Sequence, residues 1–313
     1  MKIHDLIFKE LLKRGYKLEG KTKVWDVADS KLWYLTPEQA QGFLDLEEDE
    51  YYEKSIIEKE ISLIKKNLPE IIKILPFKSY NLVDLGCGDG RKAVVFISEL
   101  KKHFNLRYCP VDISSYMVNK AAQKIRELKL SEVLEFQWNI SDFENLDNVT
   151  PLFRDNKFNH HLMLLLGNTL GNFDRDDMLS GIVKSMKKDD VLIIGNGLRD
   201  DSSEKDLVKP YKDRLLDKFL IYVIKQIGLQ STDVVYDARF RNSRVEMIYT
   251  ITKDRKVTHL GRTVEFKKGD VIVIAISLKY SKRELTDNLN KFFSNVKIYT
   301  DLQNTYALAL CKK

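Results

Sequence analysis

At 313 residues the chain exceeds the usual size of one domain, so its length predicts two domains or one domain with a large insertion. Hydrophobic residues at 43% and charged residues at 31%, with only 6 Pro, exclude collagen-like, mucin-like and largely disordered chains. The net charge of +6 is too dispersed to mark a nucleic-acid surface, and Cys87, Cys109 and Cys311 spell neither a disulfide framework nor a zinc set, which fits a reducing, cytoplasmic setting.

In chain order, Ile3, Leu6, Ile7, Leu11 and Leu12 recur at helical spacing and predict an amphipathic helix. Asp5, Lys9 and Glu10 interrupt any signal-peptide core, and no later apolar run is long enough for a bilayer. From Glu53 to Leu75 the stripe Ile57, Ile61, Ile64, Leu68 predicts further helix, with Pro69 expected to divide it in two. Short apolar runs then alternate with amphipathic stretches. The predicted strands are 81–86, 106–112, 133–138, 161–167 and 191–197, with helices near 92–103, 115–129 and 174–187. A β-α repeat of this length predicts a parallel sheet covered on both faces. Beyond Leu198 come a polar stretch, a helix near 207–228 and closely spaced strands around 232–240, 243–252 and 262–266, the pattern of an antiparallel insertion. A helix near 282–293 and two last strands are expected to complete the first sheet. The division predicted is 1–75 helical and contributing to a substrate domain, 76–198 cofactor-binding, 199–275 inserted substrate domain, and 276–313 rejoining the main sheet.

The segment VDLGCGDGRK, residues 83–92, places Asp84, Gly86, Gly88 and Gly90 where the first parallel strand turns into a helix. Glycines there let a ligand reach the backbone, and the helix start offers unpaired N–H donors. Asp112 ends the next strand, where a carboxylate can accept from both hydroxyls of a ribose. After the third strand, Ser141-Asp142-Phe143 offers an acceptor for an adenine amino group and a ring to lie against the base. Three acids at three consecutive strand ends point to an adenosine-containing cofactor.

The G-x-G-x-G loop preceded by an acid resembles that of S-adenosylmethionine-dependent methyltransferases with the Rossmann-like fold. The loop after the fourth strand, LLLGNTLGNFDR at 164–175, lacks the Asn- or Asp-Pro-Pro-aromatic motif of base methylases and is similar to that of the histidine Nα-methyltransferases of the ergothioneine pathway. Trp33-Tyr34, Glu50-Tyr51-Tyr52, Lys92 in the cofactor loop, Pro110-Val111-Asp112, Tyr211, Val245-Glu246-Met247 and Ile276-Ser277-Leu278-Lys279-Tyr280 follow that family's motifs in order. The resemblance implies an α/β methyltransferase sheet with helices on both faces, plus a second α+β substrate domain.

The same resemblance implies S-adenosylmethionine held by Asp84, Gly86, Gly88, Gly90, Lys92, Asp112, Asp142 and Phe143. It implies that Asn172 and Tyr211 hold a substrate carboxylate, that Tyr34 and Tyr51 border the amine and side chain, and that Gly167 lets the amine approach a backbone carbonyl. Met247, Ala275 and Ser277 fall at the substrate side. Neutral amide and phenol donors suit a carboxylate without adding charge beside a sulfonium. Ala275 departs from the pattern: histidine enzymes carry a Glu two residues before the serine that grips the imidazole. An imidazole N–H left without its acceptor costs about 1–3 kcal/mol, so histidine is expected to be a poor substrate.

The reading is therefore an N-methyltransferase for the α-amine of an amino acid or close analogue. Its partner is a small-molecule amine, with no nucleic acid, membrane or metal. The alternatives are a methylase of a protein terminus or another amine, and a cofactor-binding regulator without turnover. His160 and His161 open a strand and point to opposite faces, which prevents them from sharing a metal. Cys87 has no evident base.

Overall fold

The computed structural model describes residues 2–50, 53–129, 131–134, 140–199 and 203–313. Its elements run α1 (Ile3–Arg14), β1 (Tyr16–Glu19), β2 (Thr22–Asp26), α2 (Pro37–Glu47), α3 (Glu58–Ile74), β3 (Ser79–Leu85), α4 (Arg91–Leu100), β4 (Asn105–Val111), α5 (Ser115–Glu127) and β5 (Glu132–Val133). They continue as α6 (Leu146–Val149), β6 (His161–Leu165), α7 (Arg175–Ser185), β7 (Val191–Gly197), α8 (Glu204–Val208), α9 (Arg214–Ile227), β8 (Val234–Arg241), β9 (Arg244–Ile251), β10 (Arg255–His259), β11 (Arg262–Phe266), β12 (Val271–Leu278), α10 (Lys282–Leu289), β13 (Asn295–Thr300) and β14 (Tyr306–Lys312).

The chain divides into two compact units, Glu47–Asp200 with Tyr280–Lys313, and Met1–Leu46 with Asp201–Lys279. The first is built on a seven-stranded sheet in the order β13-β14-β7-β6-β3-β4-β5. From β7 to β5 the neighbours are parallel, and β14 enters antiparallel beside β7. Strands buried on both faces must be apolar throughout, which is why Leu162 to Leu165 and Val191 to Ile194 are uninterrupted aliphatic runs with one Met, all buried. The connections leave β3 toward β4 on one side and reach β6 on the other. This reversal of strand order opens a crevice at the carboxyl ends of β3 and β6, the place where such sheets bind ligands. The fold is the Rossmann-like α/β arrangement expected from the β-α repeat.

The second unit carries a five-stranded sheet, β1-β2-β12-β9-β8, and the hairpin β10-β11. Ile7, Phe8 and Leu11 of α1 and Phe219, Leu220, Val223, Ile224 and Ile227 of α9 share one core with Val245, Met247, Tyr249, Ile272 and Ala275 of the sheet. Asp213 caps α9 by accepting from the Leu215 N–H at 2.6 Å, and Gly228 closes it in the left-handed conformation at φ 104°. The pairing of β12 with β9 slips between Val273 and Ala275, a bulge whose Ile274 carbonyl accepts from the indole Nε1 of Trp33 at 3.0 Å.

Several expectations change, beginning with the segment 1–75, expected to be helical, which contains the strands β1 and β2 that join the sheet of the second unit. Pro69 does not divide the helix: α3 runs on through it, because burial of Leu63, Ile64, Leu68 and Ile71 along one stripe offsets the missing backbone donor. The same stripe packs α3 on α4 and β14, so residues 47–75, expected with the substrate domain, lie in the methyltransferase unit. Residues 276–279 belong to the other unit, because β12 continues through Leu278 as the partner of β9. Of the strand expected at 133–138, Glu132–Val133 pairs with β4, and 135–139 lie outside the described residues.

Candidate active site

In the larger unit β3 delivers Asp84 to the carboxyl edge of the sheet, and the chain then turns through Gly86, Gly88 and Gly90, all with positive φ. Two of these glycines have different reasons. A Cβ on Gly90 would lie 3.1 Å from the Ala121 Cα, so this glycine lets α4 and α5 approach, whereas Gly88 has nothing within 4 Å of its would-be Cβ and faces open space. Beside them, Phe143 and Thr169 both stand 3.5 Å from the space a Cβ on Gly86 would take. The turn, the loop after β5 and the loop after β6 therefore converge on one side.

Two buried carboxylates border this turn. Asp84 accepts from the Tyr108 hydroxyl at 2.8 Å, and burial pushes its carboxyl up to about 7 against the opposing pull of Tyr108 and Lys92. Asp112 follows β4 and accepts from the Ser114 N–H at 2.9 Å; burial raises it to about 6, while N–H groups of Ser114, Gly88 and Ile113 favour its ionised form. Burial, followed by the charges of Asp112 and Asp84, pushes the Cys87 thiol up as well, so that side chain is a poor nucleophile.

Lys92, in the first turn of α4, lies 3.5 Å from Glu47 and 3.5 Å from Glu60. Glu60, fully buried on α3, accepts the Gly167 N–H at 3.0 and 3.2 Å and the Tyr306 hydroxyl at 2.8 Å. Gly167 turns the chain out of β6 with φ 71°, and a Cβ there would stand 2.5 Å from the Lys92 ammonium. Gly167→Ala is expected to cost about 1–2 kcal/mol for the left-handed backbone alone, read as a lower urea midpoint. A midpoint equal to the wild-type value would mean that this backbone and Lys92 accommodate a side chain. Asn172 closes the short 3-10 turn Thr169–Asn172 and is half-buried. Asp142 precedes Phe143, whose ring meets Phe173 at 5.4 Å.

A second group of the predicted residues assembles in the smaller unit. Ala275 and Met247 are paired across β12 and β9, with Ser277 two residues further on the same face; all three are buried. The Tyr211 hydroxyl donates to the Ser277 hydroxyl at 3.1 Å and accepts from the Lys279 ammonium at 2.5 Å. Burial pushes the Tyr211 phenol up, but the Lys279 charge and these hydrogen bonds leave it below its ordinary value. Tyr236 fixes the turn by donating to the Tyr211 carbonyl at 2.7 Å. Tyr34 meets Phe43 edge-on at a ring distance of 5.3 Å and Phe219 in a tilted contact at 5.7 Å. Tyr51 lies outside the described residues.

Glu47, Glu60 and Lys279 were missed as site residues in the sequence. For Glu60 there was a signal: it falls on the buried stripe with Ile64, Asn67, Leu68 and Ile71, a position where an acid needs partners. Lys279 stood inside a quoted motif without a role. His160 and His161 do point apart, the first stacking on Phe77 at 3.5 Å and the second reaching the Thr150 carbonyl at 2.9 Å. His4, Asp5 and His259 also meet, but His259 uses one ring nitrogen toward His4 at 3.1 Å and the other toward Asp5 at 2.8 Å, a hydrogen-bonded row that ties α1 to β10.

The larger unit's carboxyl edge fits an adenosyl cofactor: a glycine turn facing open space, a buried carboxylate beside it and an aromatic ring across it. The chain is 23% identical over 273 residues to ergothioneine biosynthesis protein 1 of Schizosaccharomyces pombe, an alignment covering 82% of this chain and 35% of that protein, so it spans about a third of that relative's length. A crystal structure of an S-adenosylmethionine-dependent methyltransferase from Clostridium acetobutylicum superposes with a TM-score of 0.46 at 15% identity, covering 87% of this chain and 98% of that one. Residues 45–313 match the family model described as histidine-specific methyltransferase, SAM-dependent, and the chain belongs to that family of S-adenosylmethionine-dependent methyltransferases.

Proposed function

We propose that the protein methylates the α-amine of an amino acid or close analogue. The observation that supports a free carboxylate on the substrate is the Tyr211–Lys279–Ser277 cluster, a phenol held against an ammonium within one unit. A hydroxyl donor with a cation at its back is suited to an anion. S-adenosylmethionine supplies a sulfonium methyl, an electrophile that needs an unprotonated amine in line with it. The chain's own contribution is positional, and among the described residues placed here no side chain is a strong base. In this reading Tyr211 turns its proton from Ser277 to the carboxylate, Asn172 donates to the same group, Tyr34 borders the amine, and the Gly167 carbonyl accepts an amine N–H. Asp112 takes the ribose, and Asp142 and Phe143 take the adenine.

Histidine is a poor substrate in this reading. Ala275 is closed in among apolar neighbours and provides no acceptor for an imidazole N–H. The test is to incubate the protein with S-adenosylmethionine and matched sets of amino acids, their carboxamides and the decarboxylated amines, and to detect methylated products by mass. Turnover confined to free amino acids, with histidine among the slowest, is the expected result. Equal turnover of the carboxamides would remove the carboxylate reading, and efficient turnover of histidine would remove the argument from Ala275. In the same assay Asn172→Ala is expected to raise KM for the amino acid about tenfold to a hundredfold, the loss of a hydrogen bond to a charged group, with cofactor affinity unchanged. A parallel loss of cofactor affinity would assign Asn172 to the cofactor instead.

A further inference from the structure

The carboxyl edge of the seven-stranded sheet carries a charged cluster beyond the ribose and adenine positions. Lys92 is held between Glu47 and Glu60, at 3.5 Å from each, and both carboxylates are buried, Glu47 at 4% exposure and Glu60 at 0%. Glu60 stands over two adjacent strand ends. It accepts the Gly167 N–H after β6, and a Cβ added to Gly195 of β7 would collide with its carboxylate, so that strand has room for Glu60 only as glycine. The Tyr306 hydroxyl of β14 fixes it from the other side at 2.8 Å. Lys92 in turn occupies the space beside Gly167, one turn beyond the glycine loop.

Two carboxylates around one ammonium leave an excess of one negative charge: Arg91, the further cation that acts on Glu47, is paired with Asp89 at 3.1 Å, and Asp84, which faces Lys92, adds to the acidic side. That charge sits in a region where burial reduces screening, so its field matters more than on a surface. Methyl transfer changes the charge of the bound cofactor. The amine lone pair forms the new N–C bond, the S–C pair stays on sulfur, and the sulfonium cation becomes a neutral thioether.

We propose that Glu47, Lys92 and Glu60 form a charge-selecting element of the cofactor site, whose excess carboxylate favours the sulfonium form over the thioether product and so promotes product exchange. Glu60 acts as a positioning residue for Lys92 and the Gly167 amide, and supplies half of the negative charge. This rests on the cofactor assignment and is independent of which amine is methylated.

The test is binding of S-adenosylmethionine, its amine analogue sinefungin, and S-adenosylhomocysteine, each titrated calorimetrically into wild type, Glu60→Gln and Glu47→Gln. The wild type should favour the two cationic ligands, and each neutralised variant should lose about fivefold to tenfold of that preference. Lys92→Met, which removes the compensating cation, should shift the preference the opposite way. A purely structural role for Glu60 would weaken all three ligands together, and an unchanged ratio in a folded variant overturns the proposal. Should Glu60→Gln not fold, Glu47→Gln removes the same unit of charge from the other side of Lys92, and its ratio decides.

Discussion

Asp112→Ala is expected to weaken S-adenosylmethionine binding by about 1.5–3 kcal/mol, the range for a hydrogen bond to a charged group. The carboxylate is 8% exposed and is oriented by the Ser114 N–H, so a nearby side chain cannot take its place. Its pH dependence follows from its environment. In the ligand-free protein burial raises Asp112 to about 6 and Asp84 to about 7, so both bind protons that the unfolded chain has released above 3.8. Their contribution to stability is therefore complete below 3.8 and is lost as pH rises through about 6 to 7. Ribose hydroxyls and a cationic cofactor favour the ionised forms. Affinity should rise across that window and level off above it, with proton release visible as a dependence of the calorimetric enthalpy on buffer. Asp112→Ala should retain only the rise that Asp84 contributes. A flat profile in the wild type, or unchanged affinity in a folded Asp112→Ala, would remove the ribose assignment.

Asp190→Ala is expected to destabilise the protein by about 3–5 kcal/mol, the largest effect foreseen, because it leaves a buried guanidinium without its anion. Asp190 is fully buried beneath the sheet's amino edge and meets Arg154 at 2.5 Å, the His161 N–H at 2.8 Å and the Lys187 N–H at 2.6 Å. Burial pushes its carboxyl up, but Arg154 and the N–H donors of His161 and Lys187 together hold it below the usual value of 3.8. A depressed carboxyl contributes stability that is complete above the unfolded value and lost as pH falls through the folded one. The penalty should therefore be full at neutral pH and fade below about 3.8. Urea unfolding of wild type and variant at pH 7 and in acid checks both points. A pH 7 difference under 1 kcal/mol would show that Arg154 finds another partner.

The cofactor edge was legible because it is local. A strand, a glycine turn and a helix start occupy one continuous segment, so Asp84, Gly86, Gly88 and Gly90 could be placed from their order alone, whereas Lys92 came only from the family resemblance. Asp112 could be placed by the same logic one strand later. Pro69 misled because a single missing backbone donor is visible in sequence while the burial that offsets it is not. The domain division erred at 47–75 and 276–279 for a related reason: a helix or strand shows which face is apolar, not which partner covers it.

By itself, then, the order of residues determined the parallel sheet, the glycine turn and the acids at its strand ends, since each is set by short-range backbone geometry and hydrophobic period. Only the tertiary structure decided the partners. Glu60 meets Gly167 across 107 residues and Tyr306 across 246, and Lys279 meets Tyr211 across 68. A buried charge is tolerated only where such distant donors converge on it, and that convergence is a property of the packed elements, absent from any one segment of the chain.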